Sequence, residues 1–264
     1  MIVKKMRILF VLTVILLTSY DLNAQIIKKE IPDRLVVLTF DDAVSTHAEF
    51  VAPLLNEYGF GGTFFVCEFP PDFEDKHKYM TWGQIAELDD QGFEIANHTQ
   101  THTHVNEMNS QEFSRELAVI EQRSDSMDIL KPVSFAYPAY DTDPNALDVL
   151  ERRGYQYARI GGSRAYNPRK DHPYLIPSFS TTGTDTSRVI DALKQAKDGN
   201  IVVLTIHGVP DYAHDWVTTP PGLFKYYLRY LEKNNYTAIS MQELSEYINI
   251  KAARDQLEPV FSDQ

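Results

Sequence analysis

The regular alternation of short β-type runs with helical patterns constrains this chain more than any other feature. The runs RLVVLTF, GTFFV, FEIAN, PVSFAY, YQYARI, YLIPSF, NIVVLTI and YTAIS are short and rich in β-branched and aromatic residues, as buried strands are. Helical patterns separate them. An amphipathic segment runs from His47 to Tyr58, and Thr81 and Gln84 stand in capping-box spacing before a helix that ends at Gly92. Further helices are expected over Ser110 to Ser126, Asn145 to Arg153, Ser187 to Lys197 and Gly222 to Asn234. A last one is expected from Met241, behind Ser240 and Glu243 in capping-box spacing. Parallel strands need crossover helices, so this alternation predicts an α/β fold, a single distorted (β/α) barrel of about seven parallel strands. An open doubly wound sheet is the alternative, but no GxGxxG follows the first strand.

The 264-residue chain contains no repeat, low-complexity tract or Gly/Ser linker that would divide it. Its first 24 residues follow a different pattern. Lys4, Lys5 and Arg7 precede the apolar run ILFVLTVILL, and SYDLNA precedes Gln25. That order matches a secretory signal peptide, and the apolar core is shorter than the about 20 residues a membrane span requires. An uncleaved anchor is the other reading. The expected organisation is a signal peptide over 1–24, a catalytic domain over 25–250 and a patternless tail over 251–264. Export to the periplasm or the extracellular space follows from it. The net charge of −12 grows more negative once Lys4, Lys5, Arg7 and Asp21 are removed, which disfavours nucleic acid and anionic membranes as partners. Cys67 is the only cysteine, so no internal disulfide forms. Its apolar run TFFVC marks it as a buried, inert thiol rather than a nucleophile. Oligomeric state leaves no trace in the sequence.

In a parallel barrel, functional groups gather at the carboxyl ends of the strands. The first strand ends TFDD, placing Asp41 and Asp42 at that rim, where they serve either as turn and cap residues or as site carboxylates. The third strand ends IANHTQTH. His98 and His102 are four apart, so one helical turn would set both imidazoles on one face, while His104 would point elsewhere. Two imidazoles and one carboxylate make a three-ligand set with an open position, the pattern of catalytic rather than structural metal sites. The seventh strand ends TIHG and brings His207 to the same rim. No GxSxG elbow supports a serine esterase.

The order of TFDD, HxxxH and a strand-end histidine resembles the polysaccharide deacetylase family, carbohydrate esterase family 4, from about Leu35 to Ile248. LTFDD and HTQTH resemble its first two motifs, FAYPAY its third and TIHG its last. The resemblance implies that Asp42, His98 and His102 hold a divalent metal, that Asp41 is the general base and that His207 is the general acid. Zinc is expected, with cobalt or nickel as substitutes. It further implies an oxyanion donor at the backbone N–H of Ala139 and an acetylated glycan as substrate.

Two departures stand out. Ala136 occupies the place of the family's motif-three arginine, and nothing after GYQYARI matches its motif-four aspartate. Arg159, at the end of the fifth expected strand, could supply the cation beside Asp41, or it is a surface arginine. Asp141 and Asp143 could tune His207. Among Trp82, Tyr137, Tyr140, Tyr212 and Trp216, the rim-side Tyr140 and Trp216 are expected to face substrate, and Trp82 to pack. PDYAHDW places His214 beside Asp215, but with no third ligand in reach this reads as a loop. Three functions remain open. They are a polysaccharide deacetylase, a glycan-binding protein that has lost turnover, and an amidase or esterase for small acylated molecules.

Overall fold

The structure, a computed structural model, describes residues 25–261; the expected signal peptide lies outside them. Strand β1 (Leu35–Phe40) pairs in parallel with β7 (Val202–Ile206) along Val36 to Phe40. From β2 (Thr63–Val66) the sheet continues in parallel through β3 (Glu94–Asn97), β4 (Ser134–Ala136), β5 (Tyr157–Gly162) and β6 (Ile176–Ser180) to β7. Thr39 and Phe40 of β1 also pair with Thr63 and Phe64 of β2. That contact closes a barrel of seven parallel strands, as the alternation predicts.

The barrel is split at its amino-terminal end. There β8 (Thr237–Ile239) takes the edge of β1 over Leu35 to Val37, leaving only the carboxyl half of that edge for β2. Gly61 permits the split. Its N–H donates to Ala238 O at 2.9 Å, and a Cβ there would lie 2.9 Å from Ser240 N. The chain leaving β8 is pinned across the barrel end by Glu94. Its Oε2 accepts from Thr63 Oγ1 and from Gln242 N, and Thr63 Oγ1 accepts from Met241 N.

Alternation along each strand sorts the side chains. Val37, Phe65, Ala96, Ala136 and Val203 pack together inside the barrel, while Val36, Leu38, Phe64 and Leu204 face the outer helices. With both faces covered, β1, β2 and β7 read as near-continuous apolar runs, which is why they were legible.

The helices follow their caps. Thr81 and Gln84 form the expected capping box for α2 (Trp82–Asp90), and Asn109 and Glu112 form another for α3 (Ser110–Ser126). The first amphipathic segment differs from expectation. It opens with a π-helical turn over His47–Val51 before α1 (Ala52–Tyr58), and His47 Nε2 donates to His207 O at 3.2 Å. The helix expected from Met241 is a 3-10 turn over Gln242–Glu246. The segment read as patternless instead holds a helix, α7 (Ile250–Gln256), whose Ala252 and Ala253 are buried. Its buried side chains are two alanines, too slight a signal to stand out. Between these lie α4 (Pro144–Arg153), α5 (Thr186–Leu193) and α6 (Pro221–Lys233), each near its expected span.

Candidate metal and active site

The rim residues arise from the same two-residue alternation. Asp41 continues the inward series Val37–Thr39, His98 continues Ala96, and His207 continues Val203–Thr205. Asp42 would point outward in an extended chain. Its φ of 75°, followed by 50° at Ala43, turns the backbone sharply and brings its carboxylate to the rim as well. Asp41, Asp42 and His98 are buried.

Asp42 Oδ1 lies 3.5 Å from His98 Nε2 and 3.6 Å from His102 Nε2. The three donors form a group able to hold a metal ion. The HxxxH spacing works by a different route from the one expected. No helix follows His98; a loop does, with Thr99 and His102 left-handed at φ 63° and 58°. Glu116 of α3 holds that loop by accepting from Gln100 N and Thr101 N. His98 Nδ1–H donates to Ala136 O at 2.8 Å, which leaves Nε2 bare for a ligand bond. Burial lowers the pKa of His98 to about 4 and of His102 to about 2, so both are neutral ligands at pH 7.

The donor set suits a divalent cation. Three buried carboxylates, Asp41, Asp42 and Asp211, meet in this region with Arg159 as the buried guanidinium beside them. Burial, followed by repulsion from Asp41 and Asp211, pushes Asp42 well above the usual carboxylate range. A bound divalent ion reverses that imbalance.

Arg159 is fully buried, and its Nη2 donates to Asp41 Oδ2 at 2.5 Å. Nη1 reaches Thr205 Oγ1 and, at 3.4 Å, Ser178 Oγ. In the β4–β5 register Ala136 is the direct partner of Arg159. The guanidinium absent from position 136 therefore enters from the neighbouring strand, over the space that an alanine leaves free. Burial would raise the pKa of Asp41, but Arg159 and then His98 and His207 outweigh it and hold the carboxyl below its usual value. Asp41 Oδ1 is buried without a hydrogen-bond partner.

His207 Nε2 lies 3.8 Å from Asp42 Oδ2, and its Nδ1 has no hydrogen-bond partner. Burial lowers its pKa, an effect that Asp41 partly offsets. Asp141 and Asp143 do not serve it. Asp141 binds His104 at 2.7 Å, and Asp143 caps α4 through Asn145 N. Both lie at local turns that sequence distance alone cannot separate from the rim.

A cavity of about 550 Å³ lies over these groups, lined by Ala139, Tyr140 and Trp216 as well as by the acidic and imidazole residues. Ala139 and Tyr140 are left-handed at φ 50° and 67°. The Tyr140 ring packs so close to Gly161 that a Cβ there would meet it at 2.9 Å. Trp216 is 70% exposed and Tyr212 lies outside the cavity; Trp82 packs partly buried, donating to Glu68 Oε1.

Three contributors escaped the sequence reading. Phe69 sits with its ring 4.8 Å from that of His102 and 5.1 Å from that of His214. His214 does have carboxylates in reach, but they are Asp42 and Asp211 rather than the exposed Asp215. Cys67 is buried as expected, yet its thiol donates to Asp42 Oδ1 at 3.8 Å.

The sequence and the fold have counterparts among known proteins. A family model described as polysaccharide deacetylase matches residues 28–158, the stretch that carries TFDD, HTQTH and FAYPAY. The chain belongs to the polysaccharide deacetylase family. Among curated relatives of the family, the Bacillus subtilis (strain 168) protein YxkH, whose name assigns it to the polysaccharide deacetylases, is 27% identical over 128 residues. That match covers 48% of this chain and 45% of YxkH, so it spans less than half of that relative's length. A polysaccharide deacetylase structure from Mycobacterium smegmatis superposes with a TM-score of 0.62 at 15% identity, covering 91% of this chain and 98% of the other. The Xyl-CE4 domain of a multidomain xylanase from the hindgut metagenome of Trinervitermes trinervoides gives 0.58 at 22% identity, covering 81% and 91%. These likenesses establish the family's fold.

Proposed function

We propose that this protein is an exported, metal-dependent hydrolase that removes acetyl groups from an N-acetylated polysaccharide, with O-acetyl esters as the alternative target. One observation carries the reading. A carboxylate held by a buried arginine, Asp41, stands directly beside the Asp42–His98–His102 donor set at the floor of an open cavity. Zinc is the first choice for that set, with cobalt or nickel also suited. When bound, such an ion makes water a stronger acid and polarises the acyl carbonyl.

The remaining roles belong to the chain itself. Arg159 fixes Asp41 through Oδ2, leaving the unpartnered Oδ1 as the atom that takes the proton from the attacking water. His98 keeps its Nε2 lone pair aimed at the donor set because Nδ1–H is committed to Ala136 O. His207 acts in its protonated form, which Asp41 favours, and passes the proton on Nε2 to the departing amine. The backbone N–H of Ala139 stabilises the developing oxyanion, and Tyr140 and Trp216 offer ring faces to the sugar. The missing motif-three arginine and motif-four aspartate are the two reasons to consider a binding protein without turnover; Arg159 beside Asp41 speaks against the first.

Acetate release by the chain from Gln25 onward, loaded with zinc, tests the reading on acetylated chito-oligosaccharides, peptidoglycan and acetylxylan. Release is expected from at least one glycan, abolished by Asp41→Asn and by chelation. Folded, metal-loaded protein that releases nothing would favour the binding protein. Turnover of small acylated molecules that falls away on polymers would favour the amidase.

A further inference from the structure

Among the described residues four imidazoles surround Asp42, and they divide between its two oxygens. Oδ1 faces His98 and His102, as described. Oδ2 faces His214 Nδ1 at 3.6 Å and His207 Nε2 at 3.8 Å. On this second side Asp211 completes a group, its Oδ1 lying 3.8 Å from His214 Nδ1. The donor atoms of Asp42, Asp211 and His214 all lie within 4.8 Å of one another. Ligands about 2 Å from a shared ion lie up to about 4 Å apart, the spacing that His214 Nδ1 keeps from both carboxylates.

Two features argue that the group is built rather than incidental. Asp211 is buried, and its carboxylate is aimed by three backbone donors: Gly208 N on Oδ2, and Ala213 N and His214 N on Oδ1. The turn that delivers it is tight enough that a Cβ on Gly208 would lie 2.4 Å from Asp211 Cα. In addition, His214 Nδ1 is a buried atom with no hydrogen-bond partner, and it points at both carboxylates. An unpaired imidazole nitrogen placed between two carboxylates is a donor set aimed at a cation.

We propose that Asp42, Asp211 and His214 form a second divalent-cation site, and that Asp42 bridges the two centres through its separate oxygens. One imidazole and two carboxylates suit zinc, manganese or cobalt. Metal pairs held this way are common in hydrolases. Because the first ion neutralises most of the surplus carboxylate charge, the second binds more weakly. The inference rests on the Asp42–His98–His102 group being a metal site, and its test keeps the two apart.

The full chain is stripped with a chelator and titrated with Co²⁺, followed by d–d absorption and by calorimetry. Wild type is expected to take up two equivalents in two steps. His214→Ala, which removes no side-chain hydrogen bond, and Asp211→Asn each leave only the tighter step, and His98→Ala leaves only one equivalent. Loaded with Mn²⁺, wild type gives an exchange-coupled resonance signal, and His214→Ala gives that of an isolated ion. Saturation at one equivalent that His98→Ala removes and His214→Ala retains would overturn the second centre and leave the first standing. Two equivalents in His214→Ala would also overturn it. One equivalent that His214→Ala removes and His98→Ala retains would overturn the first centre and with it the bridged pair, leaving a single ion on Asp42, Asp211 and His214.

Discussion

Arg159 and Asp41 form an ion pair away from water, with relative side-chain exposures of 0% and 3%, and its two ends have different consequences. Removing the arginine strands a buried carboxylate, so Arg159→Ala is expected to cost roughly 3–5 kcal/mol in a denaturant titration. Turnover should fall about 100-fold as the base loses its orientation. Arg159→Lys keeps a charge but cannot reach Asp41 and Thr205 with one planar group, so it should recover stability better than turnover. Because Ala136 is the register partner of Arg159, adding Ala136→Arg to Arg159→Ala returns a guanidinium to the same layer. Partial recovery of kcat over Arg159→Ala is expected. Equal rates for the single and double variants would show that the two positions are not interchangeable.

At the scale of elements, the barrel's two ends have separate tasks. The carboxyl rim carries the proposed chemistry, whereas the amino end must absorb the mismatch of β2 and β8 competing for one edge of β1. Glu94 holds that end together by joining β2, β3 and the turn after β8. Burial raises its pKa against the hydrogen bonds from Ser134 and Thr63, which lower it. Glu94→Ala leaves Gln242 N and Thr63 Oγ1 without their acceptor, and a loss of roughly 2–3 kcal/mol is expected by chemical denaturation. The folded fraction should keep its kcat, since Glu94 lies at the opposite end of β3 from His98. A fall in kcat at unchanged stability would show that the two ends are coupled.

Across the molecule, histidines buried in neutral form set the acid limit. Burial lowers His47 and His172 to about 4, against 6.5 in an unfolded chain. Between those values the unfolded state binds protons that the folded state refuses. The stability from each group is therefore full above pH 6.5 and is lost as pH falls toward 4. The limit is roughly 3 kcal/mol per group. Melting of the metal-free protein should thus move sharply downward between pH 7 and 4.5. His172, whose Nδ1 accepts from Tyr174 N away from the rim, can be tested alone. His172→Gln is expected to flatten the slope, and an unchanged slope would remove His172 from the account. Among the described residues no helix is long and apolar enough to cross a membrane.

What could be read from sequence was governed by short-range periodicity. The runs that became strands, the capping residues and the rim positions of Asp41, His98 and His207 all follow from alternation and spacing within about ten residues. His98, His102 and one carboxylate of the TFDD pair were legible as a group because two strand ends in a closed barrel must converge, and the resemblance to the polysaccharide deacetylases picked Asp42 from that pair. Helical phase was the wrong reason for the HxxxH spacing, since loop backbone at Thr99 and His102 has no periodicity to read. Tertiary structure alone decided the partners. Arg159 meets Asp41 across 118 residues because barrel closure brings β5 and β1 to one interior layer. Asp211 and His214 reach Asp42 because a turn after β7 folds back over the rim. Which charges share a buried space depends on closure and loop path, and neither is encoded in any single stretch of the chain.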